Sequence, residues 1–387
     1  MNEFSLTPDA EEDIGPARAI TVERLQLHDF RNYRDVTLAP RPGPVVLYGE
    51  NGAGKTNLLE AVSMLSPGRG LRGVKLAEMD REGAGPWRLR ARVEGRHGPS
   101  EIETAHEREA ERRSALLDGQ SLRSQNSLGE HVGLLWLTPA MDRLFAESAG
   151  GRRRFLDRLV LTLDPAHATR VAAYERASRE RSHLLRAGRR DPAWLSAIEQ
   201  RMAEAAVAVT AARRELVREL DGELVQAEHH FPRPHLVLEG ELEEWLDEEP
   251  ALEVEQRLAE TFAASRDEDA QAGGSAVGPQ RSDLVATDAW RGEAAARCST
   301  GRQKAYLISI LLAQAQLRLR RWGDLPLLLL DEVTAHLDPR RRSELLAVLG
   351  ELGAQCWLTG TEARLFDVLT RSAHFFHVVD GALTPHD

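Results

Sequence analysis

Gly49-Glu50-Asn51-Gly52-Ala53-Gly54-Lys55-Thr56 decides how the rest of the chain is read. Two glycines five positions apart, followed by Lys and Thr, form the phosphate-binding-loop pattern. The loop lies between a short apolar run at 44–48 and a segment at 56–65 in which Leu58, Leu59, Val62 and Leu65 recur at helical spacing. A strand, a glycine-rich turn and a helix in that order point backbone N–H groups at an anion, and the helix dipole adds to the attraction. On this reading Gly49, Glu50, Asn51, Gly52, Ala53 and Gly54 cradle the phosphates of ATP, Lys55 reaches the β- and γ-phosphates, and the Thr56 hydroxyl coordinates Mg²⁺.

Further along, the four leucines at 327–330 form a continuous apolar run of the kind found in buried parallel strands, and they end in Asp331-Glu332. Asp331 is expected to hold Mg²⁺ and Glu332 to polarise the attacking water, as in nucleotide hydrolysis. Ser299-Thr300-Gly301-Arg302-Gln303-Lys304 opens an apolar helix; by itself it reads as a helix cap as readily as an anion site. Ala335-His336-Leu337-Asp338 follows the acidic pair.

The chain has 387 residues, enough for two to three domains with a sizeable core. Its 50 basic and 61 acidic residues give a net charge of -11, so any DNA contact must come from local patches. No apolar stretch approaches the roughly 20 residues a membrane span needs, so no membrane contact is expected. Cys298 and Cys356 make neither a disulfide framework nor a zinc site, which suits a reducing cytoplasm. Only Lys55, Lys75 and Lys304 among the basic residues are lysine, which suggests that these positions need a compact ammonium.

Residues 1–20 read as a flexible acidic tail. Alternation marks strands at 21–27, 36–38, 87–93 and 102–107, with a further segment around 136–139 closing one mixed sheet region. Long helical patterning runs over 152–186 and 192–229, joined by a bend at 187–191, and a polar linker is expected at 267–275. The expected fold is α/β: a head made of residues 21–150 and 275–387, with a mostly helical insert at 151–274. Arginine clusters at 152–154 with Arg158, at Arg186, Arg189 and Arg190, at Arg318, Arg320 and Arg321, and at 340–342 are either solvated faces or phosphate contacts.

Together these motifs resemble the ATP-binding-cassette (P-loop NTPase) ATPases. Residues 25–381 are most similar to the RecF family of bacterial DNA-repair proteins. The specific marks are Leu25-Gln26-Leu27-His28-Asp29-Phe30-Arg31-Asn32-Tyr33, the loop extended through Thr56-Asn57-Leu58-Leu59-Glu60-Ala61, Leu65-Ser66-Pro67-Gly68-Arg69-Gly70-Leu71-Arg72, and Arg152-Arg153-Arg154-Phe155-Leu156-Asp157. The resemblance implies that Arg31 and Asn32 sit near the nucleotide. It implies that Ser299 and Gly301 cap the γ-phosphate held by a second subunit, and that Asp338 touches that subunit. It further implies a weak ATPase: an ATP-gated homodimer at single-strand DNA gaps or gap junctions that helps load the RecA recombinase with the mediators RecR and RecO. Gln280 and Ser282 replace the family's His and Asp, Arg302 stands where Gln is usual, and no lobe-connecting glutamine is evident. Thr359-Gly360-Thr361 lacks a switch histidine, which suggests slow hydrolysis and weakens a transporter-ATPase reading. That reading and a nucleotide-dependent scaffold without DNA remain the alternatives.

Overall fold

Period-two and period-3.6 patterns alternate along the chain, and strands and helices follow them. The structure is a computed structural model that describes residues 18–110, 112–188, 191–227, 231–335 and 337–386. Residues 1–17 of the expected tail, Arg189, Arg190 and His336 lie outside the described residues. The first third holds β1 (Arg18–Ala19), β2 (Thr21–Phe30), β3 (Tyr33–Leu38), β4 (Val45–Tyr48), α1 (Lys55–Ser63), β5 (Arg88–Gly95), β6 (Gly98–Glu107), β7 (Arg112–Leu117), β8 (Gln120–Ser121), α2 (Leu128–His131) and β9 (Leu134–Leu137). The middle holds α3 (Ala149–Leu161), α4 (His167–Arg186), α5 (Pro192–Gln226), β10 (Pro234–Glu239), α6 (Glu241–Glu248), α7 (Ala251–Ala264) and α8 (Arg266–Ala272). The last part holds β11 (Asp283–Asp288), α9 (Thr300–Trp322), β12 (Asp324–Leu325), β13 (Leu327–Leu330), α10 (Pro339–Glu351), β14 (Cys356–Gly360), β15 (His374–Val379) and β16 (Ala382–His386).

Where one mixed sheet region was expected, there are two six-stranded sheets. One is antiparallel, in the order β3-β2-β5-β6-β7-β8. In β5 the buried Leu89, Ala91 and Val93 alternate with the exposed Arg88, Arg90 and Arg92, so one face meets the core and the other meets water. The other sheet runs β16-β15-β4-β14-β13-β9 and is parallel except for the β15–β16 pair. Its β13 is buried on both faces. Leu327 and Leu329 join α1 and the antiparallel sheet in one apolar cluster, while Leu328 and Leu330 join α9 in another. The strand before the phosphate loop (β4) and the strand before Asp331 (β13) both pair with β14, so three strand ends open side by side. Ligands of open α/β sheets bind at such carboxyl ends.

Three elements depart from expectation. Residues 152–186 are not one helix: α3 stops at Leu161 and α4 starts at His167, with Pro165 between them, because proline cannot supply the N–H a continuing helix needs. The expected linker at 267–275 is largely α8, whose buried Asp269 accepts a 2.7 Å hydrogen bond from Arg181 and a 2.8 Å bond from Ser265. Residues 18–20 are part of the head: β1 pairs with β12, and the Ile20 N–H donates to Leu325 O at 2.9 Å.

Candidate nucleotide site

The loop at 49–56 takes its shape from glycine. Gly49, Gly52 and Gly54 have φ of 152°, 86° and 116°. A Cβ at Gly49 would lie 2.2 Å from Val378 O, and one at Gly54 2.5 Å from Asn32 Nδ2, so both backbone angle and space demand glycine there. The Asn32 side-chain amide donates to Ala53 O at 3.1 Å and Tyr33 Oη to Gly54 O at 3.0 Å, pinning the loop from the β2–β3 turn. Glu50, Asn51 and Gly52 are exposed at the tip. Lys55 is buried, and its ammonium donates to Gly49 O and Glu50 O, both at 2.7 Å. Burial lowers its pKa, and the negative charges of Glu332 and Asp331 oppose that shift.

Thr56 Oγ1 donates to the Asp331 carboxylate at 2.9 and 3.0 Å. Thr359 Oγ1 donates to Asp331 Oδ1 at 2.8 Å and accepts the Glu332 N–H at 2.8 Å. The loop, the acidic pair and the end of β14 thus form one hydrogen-bonded chain. A hydroxyl and a carboxylate in contact are hard oxygen donors suited to Mg²⁺. Glu332 sits in the left-handed region at φ 47°, a conformation that costs energy in a residue with a Cβ and that the surroundings must hold. Lys304, on α9, supplies that hold: its buried ammonium donates to Glu332 O at 3.0 Å and Ala335 O at 3.1 Å and lies 3.3 Å from Asp142 Oδ2.

Several expected site residues are placed differently. The Arg31 guanidinium is engaged by buried Glu60 of α1 at 2.8 and 2.9 Å, so of the pair Arg31-Asn32 it is Asn32 that touches the loop. Ser299 is the N-cap residue of α9, but its exposed hydroxyl makes no capping bond. Among the described residues no hydrogen bond or ion pair joins 299–301 to 49–56. Asp338 caps α10 by accepting from the Arg341 N–H at 3.0 Å, which lowers its pKa. Arg302 turns inward, donating to Asp288 Oδ2 at 2.8 Å and Tyr306 Oη at 2.9 Å. At Gly360 a Cβ would sit 2.5 Å from Phe366 Cε2, which explains why no large side chain follows Thr359.

Sequence reasoning passed over Thr359, noting only the missing histidine beside it. The signal was a hydroxyl at the end of a strand paired with the one that carries the acids. Many of the clustered arginines are paired within the chain: Arg152 with Asp283, Arg318 with Asp324, Arg320 with Glu223, Arg321 with Glu215 and Glu219, Arg340 with Glu344 and Arg341 with Asp338, whereas Arg153 donates to Ser282 O and Arg158 lies over the Trp136 ring.

Residues 21–383 match the family model described as the RecF/RecN/SMC N terminal domain. A protein of Mesorhizobium japonicum named DNA replication and repair protein RecF is 45% identical over 94% of this chain and 97% of its own length. The Brucella abortus protein of the same name is 43% identical over 94% and 96%. This chain belongs to the RecF family. Among solved structures, the recombination mediator protein RecF bound to ATPrS in the RecFOR pathway superposes with a TM-score of 0.83 at 21% identity, covering 96% of this chain and 100% of that one. An Smc head domain from Pyrococcus furiosus gives 0.55 at 14% identity, covering 95% and 96%. RecF and SMC heads share the α/β ATP-binding-cassette architecture, and the two-sheet head described above has that fold.

Proposed function

We propose that this chain is an ATP-switched DNA-binding protein of recombinational repair and a weak ATPase. The observation that carries the reading is the continuous chain Thr56–Asp331–Thr359–Glu332 N–H at the mouth of the phosphate loop. The backbone N–H groups of 49–56 receive the phosphates, and the Lys55 ammonium moves from its two carbonyls to the β- and γ-phosphates. Thr56 and Asp331 would hold Mg²⁺, which would neutralise charge on the phosphates. Glu332, its backbone fixed by Thr359 and Lys304, orients the attacking water. The free Ser299 hydroxyl and the Gly301 N–H, at the start of α9, face the γ-phosphate of a second copy, and Asp338 lies at that subunit contact. Two copies therefore enclose two ATP molecules, and the difference in ATP affinity between open and closed forms sets the population.

Relatives named for DNA replication and repair, and a similar structure described within the RecFOR pathway, support a repair role; within that role the proposal is action on single-strand gaps with RecO and RecR to load a recombinase, in the cytoplasm. Glu332→Gln is expected to bind ATP without hydrolysing it and to sediment as a dimer; a monomer at saturating ATP sinks the two-copy arrangement. Fluorescence anisotropy of a gapped duplex, with and without Mg-ATP at fixed salt, tests the DNA reading. Binding that tightens with ATP supports it, and no binding in either condition removes it.

A further inference from the structure

Among the arginines that carry little or no internal neutralisation, one group shares a cleft. On α4, Ser178, Ser182 and Arg186 lie one turn apart on a single stripe with Arg179 beside them, and across from this stripe stand Ser275 and Arg281. Between the two sides is an open cleft of about 410 Å³. Among the described residues, Arg186 and Arg281 have no carboxylate within ion-pair distance. Arg186 Nε donates only to Ser182 O of its own helix at 3.2 Å, and Arg281 Nη2 only to Ser275 O at 3.3 Å. Arg179 has one exposed contact with Glu175 at 3.4 Å, of the kind that contributes little. In a protein of net charge -11, two guanidiniums without a carboxylate and a third with only one exposed contact, sharing a cleft with three serines, form an anion receptor.

The far wall is built in advance. The Gln280 side-chain amide donates to Ser275 O and Oγ at 3.0 Å each and to Val277 O at 3.1 Å, and its oxygen accepts from Tyr174 Oη. Arg213 donates to Pro279 O at 2.6 Å and Arg153 to Ser282 O at 2.8 Å, while the Ser282 hydroxyl donates to Glu243. Gln280 and Ser282, the two breaks in the family pattern, thus brace the loop behind this wall. Gly273 and Gly274 leave its rim without side chains that would hold a polymer away.

We propose that this cleft binds the phosphodiester backbone of DNA. This rests on the DNA reading above and gives that reading a location. The same loop leads into β11, whose first residue, Asp283, is gripped by Arg152 at 2.7 Å through two bonds, and whose last, Asp288, holds Arg302 and Tyr306 of α9. A backbone seated in the cleft therefore lies one six-residue strand from the Ser299 segment.

The test is anisotropy of a labelled gapped duplex with the full chain and with the triple variant Arg179→Ala, Arg186→Ala, Arg281→Ala, across a salt series. Thermal unfolding verifies the fold, and single Arg186→Ala answers the question should the triple variant unfold. At least tenfold weaker binding is expected for the triple variant, with the slope of log affinity against log salt reduced by up to about 3 units, because each phosphate contact contributes roughly 0.9. Lysine at all three positions is expected to restore most of the binding. DNA affinity and slope unchanged in the folded variants overturn the inference alone; no DNA binding by the unsubstituted protein overturns the DNA reading and the inference with it. A folded triple variant that loses binding of inorganic phosphate yet keeps full affinity for the duplex marks a small-anion pocket and also overturns the inference.

Discussion

At the scale of single residues, the site is built from groups whose size and hydrogen-bonding are both specified. Lys55 fills a cradle of two carbonyls at 2.7 Å that a compact ammonium satisfies and a planar fork does not. Lys55→Arg is expected to keep weak ATP binding and lose turnover; phosphate release at the unsubstituted rate refutes the assignment. Thr359→Val keeps the shape of a fully buried side chain but removes the donor to Asp331 and the acceptor of the Glu332 N–H. A lost partner in such a place costs about 1–3 kcal/mol, so turnover is expected to fall at least tenfold with ATP affinity less affected, measured as kcat against KM. Lys55, Thr56, Asp331 and Glu332 were legible in the sequence because each sits at a fixed offset within a local pattern. Thr359 was not, and Lys304 was marked only as a retained lysine, since the partners of both are supplied by strand pairing and helix packing that no spacing reveals.

Among the elements, β11 and α9 are joined through Asp288. Burial raises the pKa of this carboxyl, but hydrogen bonds from Tyr306, the Arg291 N–H, Arg302 and the Trp290 N–H outweigh that and hold it at about 2. A carboxyl depressed in the folded state stabilises it above the ordinary carboxylate range, and that contribution is lost as pH falls from about 4 toward 2. Asp288→Asn should therefore be less stable than the unsubstituted chain at neutral pH, and the gap should narrow in acid. Urea midpoints at pH 7 and pH 3 measure this, and equal gaps at both refute it. The alternation of β2 and β5 and the helical stripe of α5 were readable because burial imprints its period on composition. The α3–α4 break was readable in Pro165 and overlooked, whereas α8 was masked by its polar residues, which are held by buried Arg181 and not by an apolar face.

Across the whole molecule, the head depends on strands far apart in sequence. β4 carries the phosphate loop and pairs with β14 on one side and β15 on the other: Trp357 is opposite Val45, and so is His374. Removing everything after residue 355 leaves β4 with neither neighbour, so the truncated chain is expected to bind no ATP. Equilibrium binding of a fluorescent ATP analogue checks this, and retained affinity contradicts the sheet order. That the head draws on both ends of the chain was legible because the loop and the acidic pair stand on either side of a helical stretch; the order of strands was not, because period alone does not choose neighbours. The same pairing governs synthesis. Contacts of long sequence separation form late, and the loop, made within the first sixth of translation, stays unsupported until ribosomes have delivered residues 356–379. A nascent chain is therefore expected to capture no nucleotide until translation has reached the last strands.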